Sequence, residues 1–573
     1  MLPRRVATYV PPLLVGLLAL PFILRQNSWM EWSNAYWLLE RQTAHVEARG
    51  LPTLFLHNPS GAFNPFFTYY AGFTLSVLAY PAAVLGAWPV FAASVVAAIV
   101  GGYLGIWWTA RNLGLSPQLA ILPALTFTTT PYVLSEIYGR GAWAELVAAN
   151  AAAVMLGGLT ALLWHPGRRR APALAALIAA TAVVAGTHNL TLMMSAVALP
   201  LLLLAVLPLR GPGRPPVLPA LAGVGLGVGL AAAWLIPNLS FGPDTWIAQP
   251  LSNERDLSQT FGMDAISNLL SPLPAVPDGN NRWVYAQGPT LVLVWSLVAF
   301  GSLYWARRGA SRRAVWAAAG LIAFSFALVM FIVHPHWWLS FPRLVKTVQY
   351  PFRLIPYLAI AAALCAIVGL VALHGPARRW LTVALAVIVA VQAVAGVWIV
   401  VNSQAAGPVA GAPPRHGDVP VASVPPSFGG AADLQFRVVG RPVGRPPNQK
   451  PRAFAFDDLL TSDAGTSSGV GRVGDRLLIP VIWSPLVRVT GDARISGRDR
   501  SGVAIATVTR TDARGRWSAT VAAAHPWQLV AGRVISLLSA LAIAVAGIVA
   551  LRRRRRSPHV AAPTDLPRPV VHA

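Results

Sequence analysis

The chain has 573 residues, 55% of them hydrophobic and only 11% charged, with a mean hydropathy of +0.56. Soluble domains carry about 25% charged residues, so this balance excludes a soluble globular protein and points to an integral membrane protein with many spans. A net charge of +25 does not indicate nucleic acid here, because the arginines cluster beside apolar runs, as in HPGRRRAP, ARRGASRR, GPARR and LRRRRRS, the pattern of cytoplasmic flanks.

The first apolar run, MLPRRVATYVPPLLVGLLALPFIL, has no small-x-small cleavage site after it and reads as an uncleaved first span. Residues 25–68 then form an outer loop with Glu31, Asn34, Glu40, Arg41, His45 and Glu47, its start crowded by Trp29, Trp32, Tyr36 and Trp37. If this stretch is helical, Glu31, Asn34 and Leu38 share one face; the competing reading is an interfacial aromatic belt with surface charges. Three apolar stretches follow, 69–87, 89–109 and 117–132. Only an even number of crossings fits between two outer loops, so one stretch is re-entrant or two form a shallow hairpin.

The outer segment 133–145 holds SEIYGRGAWAE, with Glu136 and Arg140 four apart and Glu145 beyond. Charges in such apolar surroundings need partners: they serve a site, or they form an ion pair that pins two helices. Spans near 146–164 and 172–187 enclose HPGRRRAP, and spans near 189–208 and 216–237 enclose RGPGRPP, with His188 at an outer span end. The loop 238–288 is outer, mixing acids with Trp and Tyr, a composition that suits sugar hydroxyls or plain solvation. Spans near 289–306 and 313–333 flank ARRGASRR. The outer stretch 334–353 then gathers His334, His336, Arg343, Lys346, Gln349 and Arg353. Several cations at an outer span end suit a phosphate, with arginine giving a forked contact. His334-Pro-His336 is too sparse for a metal site by itself; no cofactor is demanded by the residues, and a divalent metal stays open.

Spans near 355–374 and 379–401 flank GPARR and complete a membrane module over residues 1–402. Residues 403–526 are Pro/Gly-rich with short alternating runs, DLQFRVVG, RLLIPVIWSP, VRVTGDARIS, VAIATVTRT and RWSATVAAA, which predict a small antiparallel β-sandwich with 409–426 and 460–473 as loops. A last span over 527–551 and a basic tail over 552–573 follow. The fold class expected is therefore an α-helical polytopic membrane protein of 12 or 13 spans with an appended extracytoplasmic β-sandwich. All 20 acids except Asp565 fall in expected outer segments. The single cysteine, Cys365, lies in an apolar run, which excludes an intrachain disulfide.

GLPTLFLHNPSGAFNPFFTYY, YGRGAWAE, THNLT and VQYPFR, with GRVISLLSAL near the C-terminus, resemble the bacterial membrane family labelled 6-pyruvoyl-tetrahydropterin-synthase-related. A long carboxylate-bearing first outer loop is likewise similar to the GT-C superfamily of membrane glycosyltransferases. The resemblance covers roughly residues 10–400. It implies transfer of a sugar from a polyprenyl-phosphate donor to a glycan or lipid acceptor of the cell envelope, on the outer face of a bacterial plasma membrane; the arginine flanks place both termini in the cytoplasm. Membrane lipid is the third partner, and nucleic acid is none. In that family an Asp early in the first loop is the catalytic base. Here the acid nearest is Glu31, and Asn34 stands where the Asp is expected, so Glu31 takes the role or the chain works without transfer. Asn34, Glu136, Arg140, Glu145, His188, Arg343, Lys346, Gln349 and Arg353 are the expected substrate-binding set. A non-catalytic protein that binds lipid-linked glycan, and more remotely a flippase or transporter, are the rival readings.

Overall fold

The computed structural model describes residues 4–25, 31–57, 63–138, 141–165, 170–210, 216–245, 301, 311–334, 337, 340, 351–406, 447–448, 463–499 and 502–556. The chain is mostly helical. It opens with α1 (Arg4–Gly16), a 3-10 turn and α2 (Leu20–Arg25), followed by α3 (Glu31–Arg49), a two-residue hairpin of β1 (Leu56–His57) and β2 (Phe63–Asn64), and α4 (Phe66–Tyr69). Then come α5 (Gly72–Leu85), α6 (Ala87–Asn112), α7 (Ile121–Thr128), α8 (Pro131–Tyr138), α9 (Trp143–Trp164), α10 (Arg170–Thr187) and α11 (Asn189–Val206). They are followed by α12 (Val217–Leu230), α13 (Ala232–Phe241), α14 (Arg312–Val333), α15 (Ile355–Ala372) and α16 (Gly375–Ala406). Six strands, β3 (Ala464–Val470), β4 (Arg476–Ile482), β5 (Val487–Gly491), β6 (Ala493–Arg498), β7 (Val503–Val508) and β8 (Arg516–Ala523), precede α17 (Trp527–Arg556).

Among the described residues, eight helices are long and apolar enough to cross a membrane, or nine if the bent pair α12–α13 is one span. This is fewer than the 12 or 13 expected, for identifiable reasons. The expected span 289–306 lies outside the described residues apart from residue 301. The apolar part of the first run, Val10–Leu24, and α5 are shorter helices. The stretch 117–132 gives the eight-residue α7 and then, past Thr129 and Thr130, the eight-residue α8.

Helix direction settles which of the three N-terminal stretches cross. The helices α6 and α9 run side by side in the same direction: Ser94 meets Trp143, Gly102 meets Asn150, Gly105 meets Ala153, and Asn112 meets Thr160. Glycines permit this, since a Cβ on Gly105 would lie 2.4 Å from the Ala153 backbone; small residues are how helices approach closely in lipid, where no hydrophobic drive pulls them together. A chain that leaves α6 and re-enters α9 in the same direction must cross back in between. The broken pair α7–α8 makes that crossing, running parallel to α16, with Thr129 against Gln392 and Leu134 against Gly396. By contrast α5 starts beside the end of α10, where the Thr74 hydroxyl hydrogen-bonds that of Thr187. It ends at Gly86 (φ 88°), whose left-handed corner opens α6. Both points lie at the same end of the bundle. With 14 residues, α5 is about 21 Å long and lies across that end; the stretch 69–87 is the one that does not cross.

The pair α12–α13 bends by 76° at its break. A broken helix in lipid leaves backbone groups that must be satisfied from elsewhere. Ser536 of α17 does this: its hydroxyl donates toward the Gly229 and Leu230 carbonyls (3.1 and 2.9 Å) and accepts from the Ala233 amide at 2.9 Å.

The β region forms two sheets, β3-β8-β5 and β1-β2-β4-β7-β6. Their buried side chains, among them Leu477, Ile479, Val481, Val487, Val489, Trp517, Ala519 and Val521, belong to one apolar cluster, consistent with the expected sandwich. Pro480, which has no N–H to give to a ladder, falls where the β4–β7 register shifts between Leu478 and Ile482. The sequence run DLQFRVVG lies outside the described residues. Two expectations are corrected. Residues 464–470 are not loop but β3, paired along its whole length with β8 from Ala464↔Ala522 to Val470↔Arg516; AGTSSGV lacks bulky β-formers, and neighbouring strands, not intrinsic preference, fix it. Nor is the β region purely an appendage, since β2 from the first loop pairs with β4 at Phe63↔Val481.

Candidate functional site

The end of the bundle that carries the β region also holds the buried charges. There α9 begins at Trp143, whose indole donates to Ser94 Oγ at 2.9 Å and fixes the helix start. Glu145 is in the first turn of α9, where the helix dipole favours a carboxylate. Its Oε1 accepts the hydroxyl of Tyr132 on α8. Its Oε2 lies 3.4 Å from Nε of Arg353, and the two side chains are 3% and 10% exposed. Arg353 sits on the 3-10 turn Pro351–Leu354 that leads into α15. The cluster thus ties the head of α8, the head of α9 and the approach to α15.

One turn past Arg353, Tyr357 points into the same region. Its hydroxyl donates to the Thr191 carbonyl at 2.9 Å and meets Ser195 Oγ at 2.8 Å, so Ser195 is the donor to the tyrosine oxygen. Glu145 is within electrostatic range of this hydroxyl. His188, at the N-cap of α11, bonds Thr191 Oγ1 through Nδ1 at 2.7 Å. Two further charges are buried at this end. Glu136, one turn after Tyr132, is 0% exposed, and Arg41 of α3 is 3% exposed with its guanidinium 4.7 Å above the Trp37 ring.

A buried ion pair in surroundings of low dielectric loses most of its Coulomb gain to desolvation, and losing one partner strands the other. The Glu145–Arg353–Tyr132 arrangement is therefore well suited to hold charge in a fixed place. It is also suited to exchange Glu145 for another anion of similar geometry, such as a phosphate, on the arginine.

Of the residues singled out from the sequence, Glu145 and Arg353 are brought into contact, Glu136 is buried on α8, and His188 stands at the N-cap position of α11. Glu31 and Asn34 open α3 as the helical reading required, but their side chains lie outside the described residues, as do Arg140, Arg343, Lys346 and Gln349. The expected meeting of Glu31 with Arg353 therefore falls outside what is described; among the described residues Arg353 meets the Glu145 carboxylate. His334 stacks on Trp337, with ring centroids 5.4 Å apart. Among the described residues no three His, Cys, Asp or Glu side chains gather as a metal ion would need. Sequence reasoning missed Tyr132, Thr191, Ser195 and Tyr357. The spacings Tyr132–Glu136 and Arg353–Tyr357, each four residues, place those pairs on one helical face and were the available signal for the tyrosines; nothing marked Thr191 or Ser195. Comparison with protein-family models, with curated proteins and with solved structures finds no match for this chain.

Proposed function

We propose that this multi-pass membrane protein transfers a sugar from a polyprenyl-phosphate donor to a glycan or lipid acceptor, at the bundle end that carries the β region. The positive-inside rule supports placing that end outside the cytoplasm, because the arginine runs flank the opposite ends of the spans. The reading draws on the resemblance of the sequence motifs to GT-C glycosyltransferases, and one observation carries it: the buried Glu145–Arg353 pair, with Tyr132 on the carboxylate, at the head of the membrane helices. In the proposed step the bond between the anomeric carbon and the phosphate oxygen breaks. Arg353 takes the leaving phosphate, whose charge grows as that bond lengthens. The acceptor hydroxyl attacks the anomeric carbon and passes its proton to Glu31. Glu145 and Tyr132 hold the guanidinium ready until the donor arrives. No nucleotide-binding fold is needed, since the donor is carried by lipid.

The test is transfer from a short-chain polyprenyl-phosphate sugar by the full chain in nanodiscs. Arg353→Ala is expected to lower turnover about 100-fold or more, as losing one preorganised charge contact does, and Glu31→Gln to abolish it while the protein stays folded. Unchanged turnover in Arg353→Ala overturns the role given to that residue. A second reading, a non-catalytic binder of lipid-linked glycan, is favoured by Asn34 in place of the expected acid. It predicts retained polyprenyl-phosphate binding with no transfer from any sugar donor.

A further inference from the structure

The first loop and the β region meet at one polar junction. His45 of α3 is buried, its side chain 6% exposed. Its Nδ1 lies 2.6 Å from the Leu51 carbonyl oxygen and its Nε2 lies 3.2 Å from Asp463 Oδ2. Neither a carbonyl nor a carboxylate has a proton to offer. Both ring nitrogens must carry hydrogen for the two contacts to be attractive, which makes His45 an imidazolium. The Nε2 contact is an ion pair and not a well-aligned hydrogen bond, so its strength comes from charge. The other oxygen of Asp463 accepts from Thr53 Oγ1 at 2.6 Å. Thr53 is itself clamped to α3: its amide donates to Gln42 Oε1 at 3.0 Å, and its carbonyl accepts from Gln42 Nε2 at 2.7 Å.

Asp463 immediately precedes β3, so this junction is where the described β region begins. In the sheet itself, among the described residues, loop and β region share the register pair Phe63↔Val481, a short seam that the side-chain contacts at this junction reinforce. We propose that His45 and Asp463 form a proton-operated latch that docks the β region on the first loop, closed when His45 is charged and loosened when it is neutral.

The charged groups acting on His45 are Asp463, which attracts the imidazolium, and Arg49, one turn along α3, which opposes it. Burial also disfavours the charged ring, yet the contacts to Asp463 and to the Leu51 carbonyl outweigh burial and Arg49, leaving His45 above its ordinary 6.5. A raised folded-state value means that the latch contributes fully below about pH 6.5 and is lost as pH rises through the elevated value. The inference concerns how loop and β region are joined and does not depend on what the protein transfers.

Hydrogen exchange of the full chain in nanodiscs tests it, read on the peptide spanning 51–57. There the Thr53 amide is held by Gln42 and the Phe55 amide by Thr53 Oγ1. After correction for the intrinsic effect of pH, exchange of this peptide is expected to rise about tenfold between about pH 5.5 and about pH 8.5. Asp463→Asn, close to isosteric, is expected to exchange fast at both values. His45→Gln, neutral throughout, is expected to show no dependence on pH. Exchange in the wild type that is flat across this range overturns the latch, and so does a wild-type pH response that persists in either variant.

Discussion

The helices α9 and α17 are both apolar enough to cross a membrane, and α17 is the more apolar of the two. Yet α9 is almost wholly buried within the protein and α17 almost wholly exposed. The difference lies in side-chain size and in polar punctuation. Along α9, AANAAAVMLGG lets α6 approach on one side and α10 on the other, through Gly157 and Gly158, and Glu145 and Asn150 are buried at its head and middle. Along α17, Leu537, Leu538, Leu541, Val545 and Ile548 face outward, and contact with the bundle runs through small residues, Gly532, Ser536 and Ser539. Hydropathy states that a helix can live in lipid; the spacing of small residues states whether it meets lipid or protein.

That contrast can be broken at graded cost. Gly105→Leu drives a side chain into the Ala153 backbone, and is expected to cost more than about 3 kcal/mol, with little folded protein recovered on size-exclusion chromatography. Leu at Gly225 or Gly547, where an added Cβ meets nothing within 4 Å, should leave recovery intact. Equal loss at all three sites would refute the packing argument.

Next in size, Glu145→Ala is expected to cost about 3–5 kcal/mol, because it breaks the buried ion pair with Arg353. Replacing Glu145 and Arg353 together by Met should restore most of the thermal stability in a melting assay while leaving the proposed transfer dead. A double variant as unstable as the single one would mean that the pair's role is not electrostatic.

Smaller still is Ser536→Ala, at about 1 kcal/mol for hydrogen bonds between helices in a membrane; its melting shift should exceed that of Ser539→Ala, whose hydroxyl packs against Gly229 but makes none of the three hydrogen bonds that Ser536 makes at the break. Leu541→Ala, on the lipid side of α17, is expected to change stability by less than about 0.5 kcal/mol.

Much of this architecture was legible in the residues. Long apolar runs and arginine flanks gave α9, α10, α11, α14, α15, α16 and α17, because each run is long enough to satisfy the length and hydropathy of a span on its own. Alternation gave β4, β7 and β8. What was not legible depended on partners far away in sequence. The segment AGTSSGV becomes β3 only because β8 lies beside it. The choice of α5 as the stretch that lies across the bundle end follows from the parallel pairing of α6 with α9, a relation that no local window contains. At the site, Glu145 was marked as a rare charge in apolar surroundings, the signal that desolvation cost makes reliable, and Arg353 as one of a cluster of cations at an outer span end. That they would face each other was not readable, since 208 residues separate them and the turn Pro351–Leu354 sets the final approach.

Ser536 carries a consequence for how the protein is made. The kinked middle of the bundle, at Gly229, Leu230 and Ala233, receives its backbone partner from a helix that emerges from the ribosome some 306 residues later. Until then those peptide groups wait in hydrocarbon with no counterpart from α17, or the segment stays short of its final bend. Membrane assembly of this chain is in that respect closed from its far side: the module's central kink reaches its finished geometry only after the β region has been made and α17 has slid in behind it.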